Sequence, residues 1–148
     1  MSDLYETDVA LWAERQAAAL RRRAGNEIDW ENVAEEIESL SRTDKREIRS
    51  RLAIICADLL KWRFQPDARS NSWRSSIDQS RDEIADIIKE SPSLAAYPPL
   101  QLGDAYGRGR RAAARETGIA DLPTLCPWTA TEVLDPDFWP EAGQENAA

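Results

Sequence analysis

"DWENVAEEIESLSRTDKREIRSRLAIICADLLKWRF", residues 29–64, decides the fold, because its apolar residues recur every three or four positions where a strand would alternate. Asp29 is placed to cap a helix whose inward face is Trp30, Val33, Ala34, Ile37 and Leu40. A further helix is expected from about Ser41, with Ser41 and Asp44 as a weak capping box, running toward Phe64. It carries Ile48, Leu52, Ile55, Leu59 and Trp62 on one side, and Ala53, Ile54, Cys56, Ala57 and Leu60 fill much of the rest. A helix that is apolar almost all round belongs at the centre of a bundle.

Outward from that centre the same period continues. Upstream, a helix should start near Thr7 or Asp8, turn Val9, Trp12, Ala13, Ala19 and Leu20 inward, and stop after Arg21, Arg22 and Arg23 before Gly25. Downstream, Pro66 breaks the pattern and a helix begins near Ser72, packing Trp73, Ile77, Ile84, Ile87 and Ile88 before Pro92. Pro98 and Pro99 punctuate the next connection. "LGDAYGRGRRAAARETG", residues 102–118, then reads as a helix closed by Gly118, with Gly109, Ala112 and Ala113 allowing close approach to a neighbour. Thr129 and Glu132 frame a short helix, followed by a proline-bounded strap to Trp139. The expectation is an all-α, single-domain antiparallel bundle of about five helices with a C-terminal strap and short helix. One domain spans residues 1–148, its core about 5–140, and the tail from 141 frays.

Composition excludes whole chemistries. The chain has no histidine, so Ser-His and Cys-His nucleophile pairs, the usual catalytic zinc sets and the Glu-x-x-His di-iron motif each lack an essential group. Carboxylate acid/base work, carboxylate-held magnesium or manganese, a Ser-Lys dyad, or no chemistry at all survive. Cys56 and Cys126, 70 positions apart, suggest neither a disulfide framework nor a metal pair and suit a reducing compartment. The acidic start "MSDLYETD" and the lack of a long apolar run point to a cytoplasmic chain with no membrane segment. A net charge of −8 disfavours nucleic acid as a partner.

The carboxylates of the opening stretch divide by direction. Glu31, Glu35 and Glu38 fall roughly 150° from the Val33–Ile37 face, which reads as a solvated stripe that Arg42 offsets at Glu38. A metal-dependent alternative rests on Glu35-x-x-Glu38 and Glu83-x-x-Asp86, which resemble the paired acidic motifs of all-α nucleotide pyrophosphohydrolases. Glu35, Glu38, Glu83 and Asp86 would then hold magnesium or manganese against substrate phosphates. With 27 acidic residues in 148, such spacings arise readily by chance, and Asp86 too points roughly 150° from its helix's apolar face. Glu36, about 80° from the apolar centre, and Asp58, inside the apolar central helix, are the acids expected to be partly buried, and Asp58 needs Arg51 or Lys61.

Six tryptophans are many for this length. Trp12, Trp30, Trp62 and Trp73 fall on inward faces, and Trp128 and Trp139 are placed to pin the strap. "KWRFQPDARSNSWR", residues 61–74, sets Lys61, Arg63, Arg69 and Arg74 beside Trp62 and Trp73. Cations beside rings can dock an anion or a peptide, so this loop with Glu36 is the expected binding patch. Two cationic ridges complete the chain: Arg108, Arg111 and Arg115 at i, i+3 and i+7, and Lys45, Arg46, Arg49 and Arg51. Pairing with the acidic stripes is the plain reading of these ridges, and an acidic partner surface is the next.

"YETDVALWAERQAAALRR", "IDWENVAEEIESL", "LLKWRFQPDARSNSWRSSI", "SPSL", "RGRRAAARETG" and "CPWTATEVLDPDFWPE" occur in an order and spacing that resembles a bacterial family known as domain of unknown function 29. The likeness runs from Tyr5 to Glu141 and implies a compact helical domain, with no activity, substrate or catalytic residue to carry over. The functional expectation is therefore a cytoplasmic protein-interaction or adaptor module without catalysis or cofactor, its protein partner and oligomeric state unspecified. The alternatives are the metal-dependent phosphohydrolase and, third, a nucleic-acid-binding accessory protein.

Overall fold

A computed structural model describes residues 4–141. The tail beyond them, where fraying is expected, lies outside the described residues. All regular structure among the described residues is helical: α1 (Leu4–Thr7), α2 (Val9–Arg22), α3 (Trp30–Phe64), α4 (Asn71–Glu90), α5 (Tyr97–Thr117) and α6 (Ala130–Leu134). Single turns of 3-10 helix sit in three of the connections. Internal contacts group into two units, residues up to 43 and residues from 44. α3 contributes residues 30–43 to the first and 44–64 to the second.

The two helices expected over 29–64 are one. No glycine or proline interrupts residues 30–64, and Ser41, Thr43 and Asp44 are weak helix formers rather than breakers. Arg42 reaches back to Glu35 at 2.7 Å and to Glu38 at 3.7 Å, bracing the helix where the break was expected. The apolar face assigned to its first half is also corrected. Trp30, Ile37 and Leu40 are 62%, 63% and 68% exposed, and Ala34 is exposed as well. Periodicity shows that a face is apolar but not that anything covers it.

In the first unit the packing lies elsewhere. Asp8 caps α2 by accepting from the Leu11 amide at 3.0 Å, and the helix ends at Arg23, whose φ of 57° is the left-handed cap expected of a glycine. Trp12, Ala19 and Ile28 are buried, whereas Val9, Ala13 and Leu20, expected inward, are exposed. The Trp12 indole donates to Asp29 at 3.2 Å, and Tyr5 sets its ring edge against Trp12 at 4.6 Å. α1 itself is an addition that periodicity over four residues cannot reveal.

The second unit holds the main core. Ile48, Leu52, Ile55, Leu59 and Leu60 of α3, Ile77 and Ile84 of α4, and Tyr106 and Ala113 of α5 are all buried. Lys61 lies over the Trp73 ring and Arg51 beside Glu83, pairs of equal index sum, so α4 runs antiparallel to α3. Arg49 meets Tyr97 and Lys61 meets Glu116, which sets α5 in the same direction as α3 and so antiparallel to α4. α5 starts earlier than expected: Pro98 and Pro99 occupy its first turn, where a missing N–H costs nothing. Gly118, at φ 76°, closes it. Thr129 and Glu132 form the full capping box of α6. Beyond α6, buried Arg81 holds the strap by donating to the carbonyls of Val133 at 2.8 Å and Phe138 at 2.9 Å.

Candidate functional site

The site grows from one close approach. A Cβ on Gly109 would lie 2.6 Å from the Ala53 carbonyl oxygen and 2.9 Å from both the Ala57 amide and the Cys56 Cβ. Only glycine lets α5 come this near α3, and Ala112 and Ala113 continue the thin face. Because the helices meet over small side chains, the longer residues beside that line stand up as rims. The groove between them has a volume of about 590 Å³. Its floor is Ala53, Ile54, Ala57, Gly109 and Ala112, with Ser50 and Ser76 at its edge.

Arg108, Arg111 and Arg115 of α5 line one side. Their i, i+3, i+7 spacing puts three guanidiniums on one helical stripe. All three are exposed, and none forms an ion pair with a carboxylate among the described residues. Pairing of this ridge with an acidic stripe, the plainer expectation, is absent among the described residues. The other ridge is more engaged: Arg51 pairs with Glu47 and approaches Glu83, while Arg49 donates to the Tyr97 hydroxyl at 3.0 Å. A second hollow of about 500 Å³, lined by Arg49, Gln101 and Asp104, shares Arg108 and Arg111 with the first, so the cationic rim continues past its end.

At the opposite end Lys61 sits between Asp58 at 3.0 Å and Glu116 at 2.6 Å. Burial pulls the Lys61 ammonium down, but these hydrogen bonds outweigh it and its pKa is raised above the ordinary lysine value. Both carboxylates of the groove are thereby committed to one cation. The net surplus is the arginine rim: planar donors over an apolar floor, suited to carboxylates or phosphates carried on an apolar backbone.

The expected loop patch assembles differently. Trp62 packs against Trp139 with tilted rings, centroids 4.7 Å apart, with Arg69 over the Trp62 ring at 4.8 Å, and Arg74 covers Trp139 at 4.9 Å. Arg69 also donates to the Trp62 carbonyl at 2.8 Å, Arg63 is buried beside Phe64, and Lys61 faces the half-buried Trp73 at 5.3 Å. These cations and rings partner one another, the Nη2 of Arg69 being the buried atom left without a hydrogen bond, and Trp62 and Arg74 fasten the strap at Trp139. Glu36 belongs to the first unit, where it accepts from the Tyr5 hydroxyl at 2.5 Å. That bond to a carboxylate is the main reason the Tyr5 pKa is pushed up to about 12.

Among the described residues no three Cys, Asp or Glu side chains gather to hold a metal ion. Glu35 and Glu38 share Arg42, Glu83 lies beside Arg51, and Asp86 is exposed. Sequence reasoning recorded the arginine stripe but not its groove, which depends on what Gly109 touches across the fold. Cys56 is buried on α3 and Cys126 half-buried, both as free thiols, and Cys126 donates to the Trp128 carbonyl at 3.3 Å.

Residues 4–139 match the family described as Domain of unknown function DUF29. No curated protein and no solved structure matches the chain. No helix among the described residues is long and apolar enough to cross a membrane.

Proposed function

The chain belongs to the DUF29 family, whose description assigns no activity, and we propose that it is a non-catalytic protein-interaction module that docks an acidic segment of a partner protein in the α3–α5 groove. One observation carries this reading: among the described residues Arg108, Arg111 and Arg115 have no carboxylate partner and stand along an apolar floor. Three guanidiniums without counter-charges among the described residues offer their donors to a carboxylate-bearing ligand, and the alanine and isoleucine floor gives that ligand apolar area to bury. The absence of catalysis is supported by Asp58 and Glu116, both engaged with Lys61 and so poorly placed to act as a base. Two free thiols suit the reducing cytoplasm, where we place the protein.

The test compares the wild type with the triple variant Arg108→Glu/Arg111→Glu/Arg115→Glu, using fluorescence anisotropy of a labelled peptide of alternating glutamate and leucine. Micromolar binding that weakens about tenfold or more between 50 and 200 mM salt, and vanishes in the triple variant while its urea midpoint stays put, is the expected result. Equal binding by the triple variant, or tighter binding of an oligonucleotide than of the peptide, would overturn the reading.

A further inference from the structure

Carboxylates carried beside exposed apolar side chains, the ligand chemistry that suits the α3–α5 groove, occur on the chain itself. The first turns of α3 leave Trp30, Ala34, Ile37 and Leu40 exposed. Glu31, Glu35 and Glu38 are exposed beside them, on a stripe about 100° round the helix from the Trp30–Ala34–Ile37 line. Among the described residues Glu31 has no ion pair, and Glu35 and Glu38 share Arg42 in exposed contacts of the kind that add little. On α5 the three arginines of the rim likewise stand about 100° round from Gly109 and Ala112 of the floor. From first to last, each charged stripe covers about 10 Å of helix rise.

Given the groove as a docking site for acidic segments, on which this inference rests, we propose that its occupant is a second copy of the chain: residues 30–40 of one copy lie in the α3–α5 groove of another, with Glu31, Glu35 and Glu38 against Arg108, Arg111 and Arg115. Charge complementarity selects this contact, because two of the acidic faces placed together would set carboxylate against carboxylate. Helix handedness sets its direction. When the incoming helix turns its apolar line to the floor, its acids point at the α5 rim only if it runs parallel to α5. The carboxylates then come at offsets 0, 4 and 7 against guanidiniums at 0, 3 and 7, a mismatch that the long arginine side chains absorb. Leu40, on the other flank of the apolar line, turns to the α3 side of the groove, where Ile54 lies. The groove's own carboxylates, Asp58 and Glu116, stay with Lys61. Each copy carries one acidic face and one groove, so the contact closes as a reciprocal pair or repeats along an open chain.

The experiment measures the weight-average mass of the full chain by sedimentation equilibrium from about 10 to about 500 μM, in about 50 mM and about 500 mM salt. The mass should climb from one chain to two or more across that range in low salt and fall back in high salt. Glu31→Arg/Glu35→Arg/Glu38→Arg and Arg108→Glu/Arg111→Glu/Arg115→Glu should each keep the mass of one chain, while an equimolar mixture of the two associates, since the reversed stripes are again opposite in sign. Ile37→Ser, at an exposed position, should weaken the association about tenfold with its urea midpoint unchanged. A wild type at the mass of one chain throughout, or association that the glutamate triple variant or Ile37→Ser retains in full, would overturn the proposal. The labelled glutamate–leucine peptide separates this failure from that of the groove reading: a chain that binds the peptide but not itself sinks the second copy alone, and one that binds neither sinks both.

Discussion

Gly109→Ala should destabilise the protein although alanine is the better helix former, and Gly103→Ala in the same helix should stabilise it. The added methyl at position 109 would sit 2.6 Å from the Ala53 carbonyl oxygen and 2.9 Å from the Ala57 amide and Cys56 Cβ, where carbon contacts are comfortable at about 3.5–4.0 Å. Two of the three obstructing atoms are backbone of a buried helix and cannot rotate away. Relief requires α5 to back off α3 by about 1 Å, and a gap of that size forfeits roughly a quarter to a half of the dispersion attraction of every contact along the seam. Overpacking of this kind costs about 1–3 kcal/mol, against about 1 kcal/mol gained from alanine's propensity over glycine. At Gly103 nothing lies within 4 Å, so only the propensity gain operates. The propensity gain is common to both, so the two variants should differ by the overpacking cost alone, about 1–3 kcal/mol, which for a chain of this length is a separation of about 2–12 °C in Tm. Urea unfolding followed by tryptophan fluorescence and by helical circular dichroism checks it. A Gly109→Ala midpoint equal to or above that of Gly103→Ala would refute the claim that glycine is required for the helix approach.

Two further outcomes follow from the charged pairs. Lys61→Met should cost ~3–5 kcal/mol by stranding the Asp58 carboxylate, 6% exposed, without its cation. Lys61→Met/Asp58→Leu should recover most of that in the same urea assay, and a double variant no more stable than the single one would disprove the coupling. Tyr5, whose pKa is raised in the folded chain to about 12, stabilises fully below its unfolded value near 10 and loses that contribution as the pH rises from there toward about 12. Phenolate absorbance should show Tyr5 titrating late beside Tyr106, which burial also pushes up, and only the Tyr5 step should move toward pH 10 in Glu36→Gln; an unchanged titration would exclude the Tyr5–Glu36 bond as its cause. Lys61, also raised, loses its contribution in the same direction, above its ordinary value.

The secondary structure was largely legible in the residues themselves. Helical periodicity, the Asp8 cap, the Thr129–Glu132 box and the Gly118 stop are local signals, and each is made within four residues of chain. The small face of α5 at Gly109, Ala112 and Ala113 was legible too, since only a close neighbour makes such residues useful. What local signals do not contain is which partner each face meets. Trp30, Ile37 and Leu40 carry the same periodic signature as Ile48, Leu52 and Ile55, yet the first set is exposed and the second buried, because coverage is a property of the other helices.

The site divides along the same line. That Arg108, Arg111 and Arg115 form one stripe is dictated by the helix period, whereas their lack of carboxylate partners among the described residues depends on where the acids of other elements end up. Lys61, Trp62, Arg69 and Arg74 look like an open docking loop when read along the chain. Trp62 and Arg74 become strap anchors only because Trp139, far downstream, folds back against them, while Lys61 turns to Trp73, Asp58 and Glu116. By itself the sequence determined the all-helical class, the caps and which residues share a face, because those interactions close within a turn or two of helix. Tertiary structure alone decided which faces are covered and which charges are spent on each other, because those depend on contacts between segments that no local spacing records.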